Sequence, residues 1–392
     1  MLGRLLLAVM VVFAIALATV TVWGNIARAS GDGASATAEA PAPASVVLQP
    51  APGATGVSPR QPVTVRPERG RLVDVALVGP DGVPVPGSVG GDGAWHATTP
   101  TAYATSYTYR GSVVDGAGRS TPITGGFTTA DPAQQLRARI NIGDGATVGV
   151  AAPIVVQFSG HVTDEAAAER ALHVQTSVPT TGSWAWLPDD DGGSRVHWRP
   201  KDYWTPGTQV ALTADLLGVD YGDGAWGAAD VTSHFTIGRS QIVKADVRSH
   251  EMVVVRDGQT VMTLPASYGL GSDPNRNTTN GIHVVMDKDE TVLMSNPAYG
   301  YENVPEHWAV RISNNGEFIH ANPATDGVQG SANVTHGCVN LSTADARAYF
   351  ATALVGDPVE VTGSPVPMPE VDVYDWTLDW PAWQQLSALP AA

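Results

Sequence analysis

The chain has little cysteine, little charge and little extended hydrophobicity, and each shortage narrows what it can be. One cysteine, Cys338, occurs in 392 residues. A single thiol excludes an intrachain disulfide, and alone it cannot build a structural metal site. Charged residues make up 15% of the chain, and the formal net charge is −16. Binding nucleic acid through phosphates needs a basic surface, so no nucleic-acid partner is expected. Contact with a membrane is expected only through the apolar run at residues 5–23, broken by Thr19 and Thr21 alone.

That run sets the compartment. Arg4 provides a short positive flank, and Ala27-Arg28-Ala29 is a small-x-small pattern of the kind a signal peptidase cuts. Residues 1–29 therefore read as a cleaved secretory signal or as a retained N-terminal anchor. Either way the destination is extracytoplasmic, on the cell-wall side. No cysteine lies near the amino terminus to carry a lipid. An odd cysteine in an exported protein points to a reactive thiol.

What is abundant is glycine and proline, at 42 and 29 residues. With Val/Thr-rich runs between turn residues, this favours an all-β protein, and the length calls for two to four domains. Residues 30–51 are rich in Ala, Pro and Gly without an apolar face, which reads as a linker. Residues 52–131 and 132–238 read as divergent copies of one immunoglobulin-like sandwich. Each starts on a Gly-Ala-Thr turn, carries a tryptophan strand (Trp95, Trp198) and closes on Phe-Thr (Phe127, Phe235). Their plain role is that of spacer; carbohydrate binding is the sharper alternative. Residues 239–363 form a further, mainly β domain with one short helix after Cys338. Strands are expected at residues 291–294 and 308–312, among others. Residues 364–392 carry Trp376, Trp380 and Trp383 and read as a tail packed on a neighbouring module.

The chemistry concentrates in the third domain. Asn314-Asn315-Gly316 is a hairpin turn leading into a strand that ends near His320. Ser342 and Asp345 form a helix-start capping pair just beyond Cys338. A neighbouring imidazole and a helix amino terminus both favour the thiolate, the form that attacks. His320 arrives on a separate strand and can face the sulfur, whereas His336, two residues before it, can point away. Gly337 permits a tight turn whose N–H groups can converge as an oxyanion hole. Three other readings compete: a buried apolar cysteine, a satisfied core histidine, and zinc held by His320, His336 and Cys338. The zinc reading lacks the usual ligand spacing.

His320, a spacer, and then Thr335-His336-Gly337-Cys338-Val339-Asn340 resembles the signature of the L,D-transpeptidases. The two modules and Trp-rich tail are similar to the actinobacterial and mycobacterial type. The resemblance implies a Cys338 thioester formed from a peptidoglycan tetrapeptide stem, with loss of D-alanine. A second stem would then resolve it into a 3→3 cross-link. Hydrolysis of the same thioester, as an L,D-carboxypeptidase, and a non-enzymatic wall-binding role remain the alternatives. The resemblance further implies His320 as base, oriented by the carbonyl of Ala321 rather than by an acidic side chain. His336, Gly337 and Cys338 would shape the oxyanion pocket. Asn315, Gly316 and Asn340 would contact substrate, with Tyr301 as a lid residue hinged at Gly300. Carbapenem-type β-lactams are the expected covalent inhibitors. No cofactor is required for the reaction; Asp220, Asp223 and Gly224 lie in a loop that resembles one able to hold a structural calcium ion in relatives, with a plain acidic turn as the favoured reading.

Overall fold

A computed structural model describes residues 42–190, 192–370 and 373–390. The apolar run, the small-x-small motif and most of the linker lie outside the described residues. The linker was expected to reach residue 51, but Ser45–Gln49 is a strand paired antiparallel with Thr64–Arg69. Val46 and Leu48 alternate onto the first module's core, and burying them outweighs the Pro-rich flank.

Both modules are two-sheet sandwiches with no disulfide. In the first, one sheet runs Ser45–Gln49, Thr64–Arg69, Trp95–Ala97, Gly87–Val89, and the other is built on Arg71–Val78 and Ser106–Val114. The second repeats the plan. Trp95 pairs with Val65 and Trp198 pairs with Ile154, and each indole lies over a glycine of the next strand, Gly87 or Gly182. A Cβ on either glycine would come within about 2 Å of the ring, so neither tolerates a side chain. Trp186, Trp198, Trp204 and Phe158 give the second module an aromatic-rich core.

The third domain stacks two sheets. A five-stranded sheet runs Gln259–Pro265, Glu251–Arg256, Gln241–Asp246, Pro358–Thr362, Gly281–Val284. A four-stranded sheet runs Asp287–Asn296, Tyr301–Arg311, Phe318–Ala321, Val339–Leu341. Val254, Ile319, Val339 and Val359 meet between them, fully buried. The helix Thr343–Phe350 closes this core with Ala346 and Tyr349. Its Ser342 hydroxyl accepts the Asp345 N–H at 3.2 Å and donates to the Asp345 carboxylate at 2.7 Å, the capping pair read from sequence. Two strands are much longer than expected. Asp287–Asn296 and Tyr301–Arg311 form a hairpin flap that runs past the core, where no apolar alternation marks it.

The tail returns across the second module. Asn280 N–H donates to Val366 O at 2.7 Å, and Met368 N–H donates to Asn280 O at 2.9 Å. Trp383 is then wholly buried against Ala185 and Leu187. The Arg199 guanidinium lies 4.7 Å from the ring centres of both Trp376 and Trp383. The second module also holds the third domain directly, through Ala151 N–H to Gly356 O at 2.8 Å.

Candidate active site

The parallel pairing of Phe318–Ala321 with Val339–Leu341 sets the geometry. His320 stands opposite Asn340, so both project from one face of the sheet. Cys338 precedes Asn340 by two residues and shares that face. All three line a cavity of about 280 Å³, with Tyr301, Glu306 and Thr335 around them. The sulfur is partly exposed and lies 3.6 Å from the Gly316 carbonyl.

His320 is 3% exposed. Its Nδ1–H donates to the Ala321 carbonyl at 2.9 Å, as expected. The expectation that no acidic side chain joins it is corrected: Glu306 Oε2 lies 3.1 Å from the same nitrogen. With Nδ1 occupied, Nε2 is the nitrogen left for the sulfur. Burial opposes charge on the imidazole, but hydrogen bonds to Cys338 and Glu306 outweigh it and push the pKa up to about 10.

His336 is exposed and packs at a tilt against the flap, its ring centre 4.5 Å from that of Tyr299 and 5.6 Å from that of Tyr301. Burial and the nearby Arg276 hold its pKa below the usual value, so its ring is neutral. Burial raises the Tyr301 pKa, with the Cys338 and Glu306 charges adding to it, so the phenol keeps its proton. Gly300, at φ +77, ends the flap turn.

Gly337 adopts φ +117, a conformation other residues avoid. Its carbonyl accepts the Thr278 hydroxyl at 2.7 Å, and the Cys338 carbonyl accepts the Thr335 hydroxyl at 2.6 Å. In a trans peptide the N–H opposes the C=O, so pinning Gly337 O aims the Cys338 N–H away from Thr278. The Gly337 N–H is itself turned to Thr335 Oγ1 at 3.3 Å, inside the loop rather than toward a shared point with Cys338 N–H. Arg276 Nε–H donates to Thr335 O at 3.2 Å and steadies the approach.

Asn340 is 2% exposed, and its Oδ1 has no hydrogen-bond partner among the described residues. Gly316 reaches the sulfur through its carbonyl, whereas Asn315 is exposed on the hairpin and stands outside the cavity lining. Sequence reasoning missed Glu306, Thr278 and Arg276. No local pattern marks them, because each acts across a long sequence gap.

In the loop read for calcium, the carboxylates already hold hydrogen bonds of their own. Asp220 Oδ1 accepts the Gly222 N–H at 2.9 Å, and Asp223 Oδ2 accepts the Thr163 hydroxyl at 2.9 Å. The two carboxylates serve separate partners, and among the described residues no three acidic, histidine or cysteine side chains gather at a metal-binding distance.

Residues 240–361 match the L,D-transpeptidase catalytic domain, and residues 54–220 match a bacterial Ig domain. L,D-transpeptidase 5 of Mycobacterium tuberculosis is 48% identical over 348 residues, covering 88% of this chain and 77% of the relative. L,D-transpeptidase 2 of Mycobacterium tuberculosis is 34% identical over 343 residues, covering 85% and 82%. A solved LD transpeptidase in complex with imipenem aligns with 59% of this chain and 100% of its own, at 35% identity and a TM-score of 0.49.

Proposed function

The chain belongs to the L,D-transpeptidase family, and from that premise we propose that its acyl transfer runs through Cys338, with His320 as the proton carrier. The observation that carries this reading is that the Cys338 thiol and the buried His320 imidazole line one open cavity of about 280 Å³.

With the thiol proton already resting on His320 Nε2, the sulfur attacks the carbonyl at the L-centre of diaminopimelate in a tetrapeptide stem. Negative charge on that oxygen is met by the Cys338 N–H, whose direction the Thr278 and Thr335 hydroxyls fix. The C–N bond breaks, and D-alanine leaves with the proton from His320. The side-chain amine of a second diaminopimelate then attacks the thioester. His320 takes a proton from that amine, the 3→3 amide forms, and the sulfur is released. Asn340 lines the cavity beside the sulfur, and Tyr301 covers the donor stem from the flap. Carbapenem-type β-lactams offer the same sulfur a strained acyl bond and acylate it.

Peptidoglycan lies outside the cytoplasmic membrane, and the apolar run at residues 5–23 is suited to carrying the chain there as signal or anchor. The two sandwiches act as the spacer. Purified protein incubated with tetrapeptide muropeptides tests the reaction by product mass. Dimers with loss of D-alanine support transfer, tripeptides alone indicate a carboxypeptidase, and unchanged stems contradict the enzyme reading.

A further inference from the structure

Glu306 faces His320 because of one irregularity in the sheet. His307 pairs with Ala321 and Val310 pairs with Ile319, so Trp308 and Ala309 together oppose the single residue His320. Trp308 takes φ +53, a left-handed conformation that bulky residues rarely adopt. This is a β-bulge, and it resets which face each side chain occupies. Cross-strand partners share a face, so His307 lies on the Ala321 side and Glu306, its neighbour, lies with His320. A regular ladder continued from Val310 would pair Trp308 with Ala321. Glu306 would then project from the Ala321 face, away from the cavity. The strained residue therefore sits where it delivers a carboxylate to the imidazole.

We propose that Glu306 is a positioning residue that, together with the Ala321 carbonyl, holds the His320 Nδ1–H and directs Nε2 at the Cys338 sulfur. The inference rests on Cys338 being the nucleophile. When the thiol proton reaches Nε2, the imidazole becomes a cation, and the carboxylate 3.1 Å from Nδ1 balances that charge. No proton is passed on to Glu306, and the proton gained by Nε2 departs with the leaving amine. The pair is well shielded, with side-chain exposures of 4% for His320 and 17% for Glu306. The other ionisable groups around it are Cys338 and Tyr301 in the cavity and His336 at its mouth, the last influenced by Arg276 and Asp273. His307 is turned away to the Thr291 hydroxyl at 2.9 Å. Cys338 and Glu306 favour the imidazolium, and burial alone opposes it.

The test uses the full chain and its Glu306→Gln and Glu306→Ala variants, with a carbapenem as the acylating probe. Acylation at Cys338 is followed by mass across the neutral and alkaline range, and the His320 ring nitrogens are followed by NMR. A lost neighbouring carboxylate moves a histidine pKa down by about one to three units, so the alkaline limb of acylation and the imidazole titration should shift down together. A merely structural role would lower the melting temperature and leave both curves in place. Curves that coincide with those of the unsubstituted protein in both variants overturn the proposal. Absence of labelling at Cys338 in the unsubstituted protein would instead defeat the nucleophile reading on which the proposal stands.

Discussion

Thr278 offers the sharpest perturbation, because valine copies its shape and removes only the hydroxyl. That hydroxyl is 1% exposed at the residue level, donates to Gly337 O at 2.7 Å and accepts the Gly269 N–H at 3.0 Å. Thr278→Val leaves one buried carbonyl and one buried N–H unsatisfied. At about 1–3 kcal/mol for each, the fold should lose roughly 2–6 kcal/mol. The catalytic effect is separate. An unpinned Gly337 carbonyl frees the next peptide plane, and the Cys338 N–H then wanders from the position an oxyanion would occupy. Losing an oxyanion donor costs roughly 10² to 10³ in rate, and Thr335 still holds the Cys338 carbonyl, so a fall of about 10- to 100-fold is expected. Stopped-flow acylation by a carbapenem measures the rate, and thermal unfolding measures the stability. Thr278→Ser keeps the hydroxyl and should restore most of both. A Thr278→Val protein that is destabilised as stated, yet acylates at the unsubstituted rate, would refute the link between this hydroxyl and the oxyanion.

Other consequences follow from the same contacts. The imidazolium of His320, favoured from its ordinary 6.5 up to about 10, contributes stability that is fully present below pH 6.5 and is lost as pH rises through about 10. Melting temperature should therefore fall more steeply over that window in the unsubstituted protein than in His320→Gln, and parallel curves would count against the assigned ionisation. Trp383→Ala removes a wholly buried indole, which costs about 3–5 kcal/mol. Limited proteolysis should then cut the tail first, and an intact tail under those conditions would show that Trp383 does not anchor it.

Much of the site could be read along the chain because its signals are local. Asn315-Gly316 marks a hairpin by turn chemistry, and Ser342 with Asp345 marks a helix start. His320 and Cys338 carry the imidazole and the thiol on which the proposed chemistry turns. Glu306 could not be read, since its face depends on a bulge at Trp308 that inverts the strand's alternation. Thr278 could not be read either, for it meets Gly337 across 59 residues of sequence. The flap strands extend beyond the core, and Val292, Leu293 and Met294 run consecutively on one of them, so no period-2 apolar pattern marks it in the sequence. At the amino-terminal edge the opposite happened. A strand at Ser45–Gln49 hides within composition typical of a linker, because only Val46 and Leu48 are needed to seat it.

Intact-mass analysis with peptide mapping after exposure to a carbapenem tests the nucleophile most directly. The structure calls for one adduct per chain, located on Cys338 and absent from Cys338→Ala, with the melting temperature of that variant preserved. An adduct elsewhere, or a Cys338→Ala protein that still labels and still joins muropeptides, would contradict the assignment.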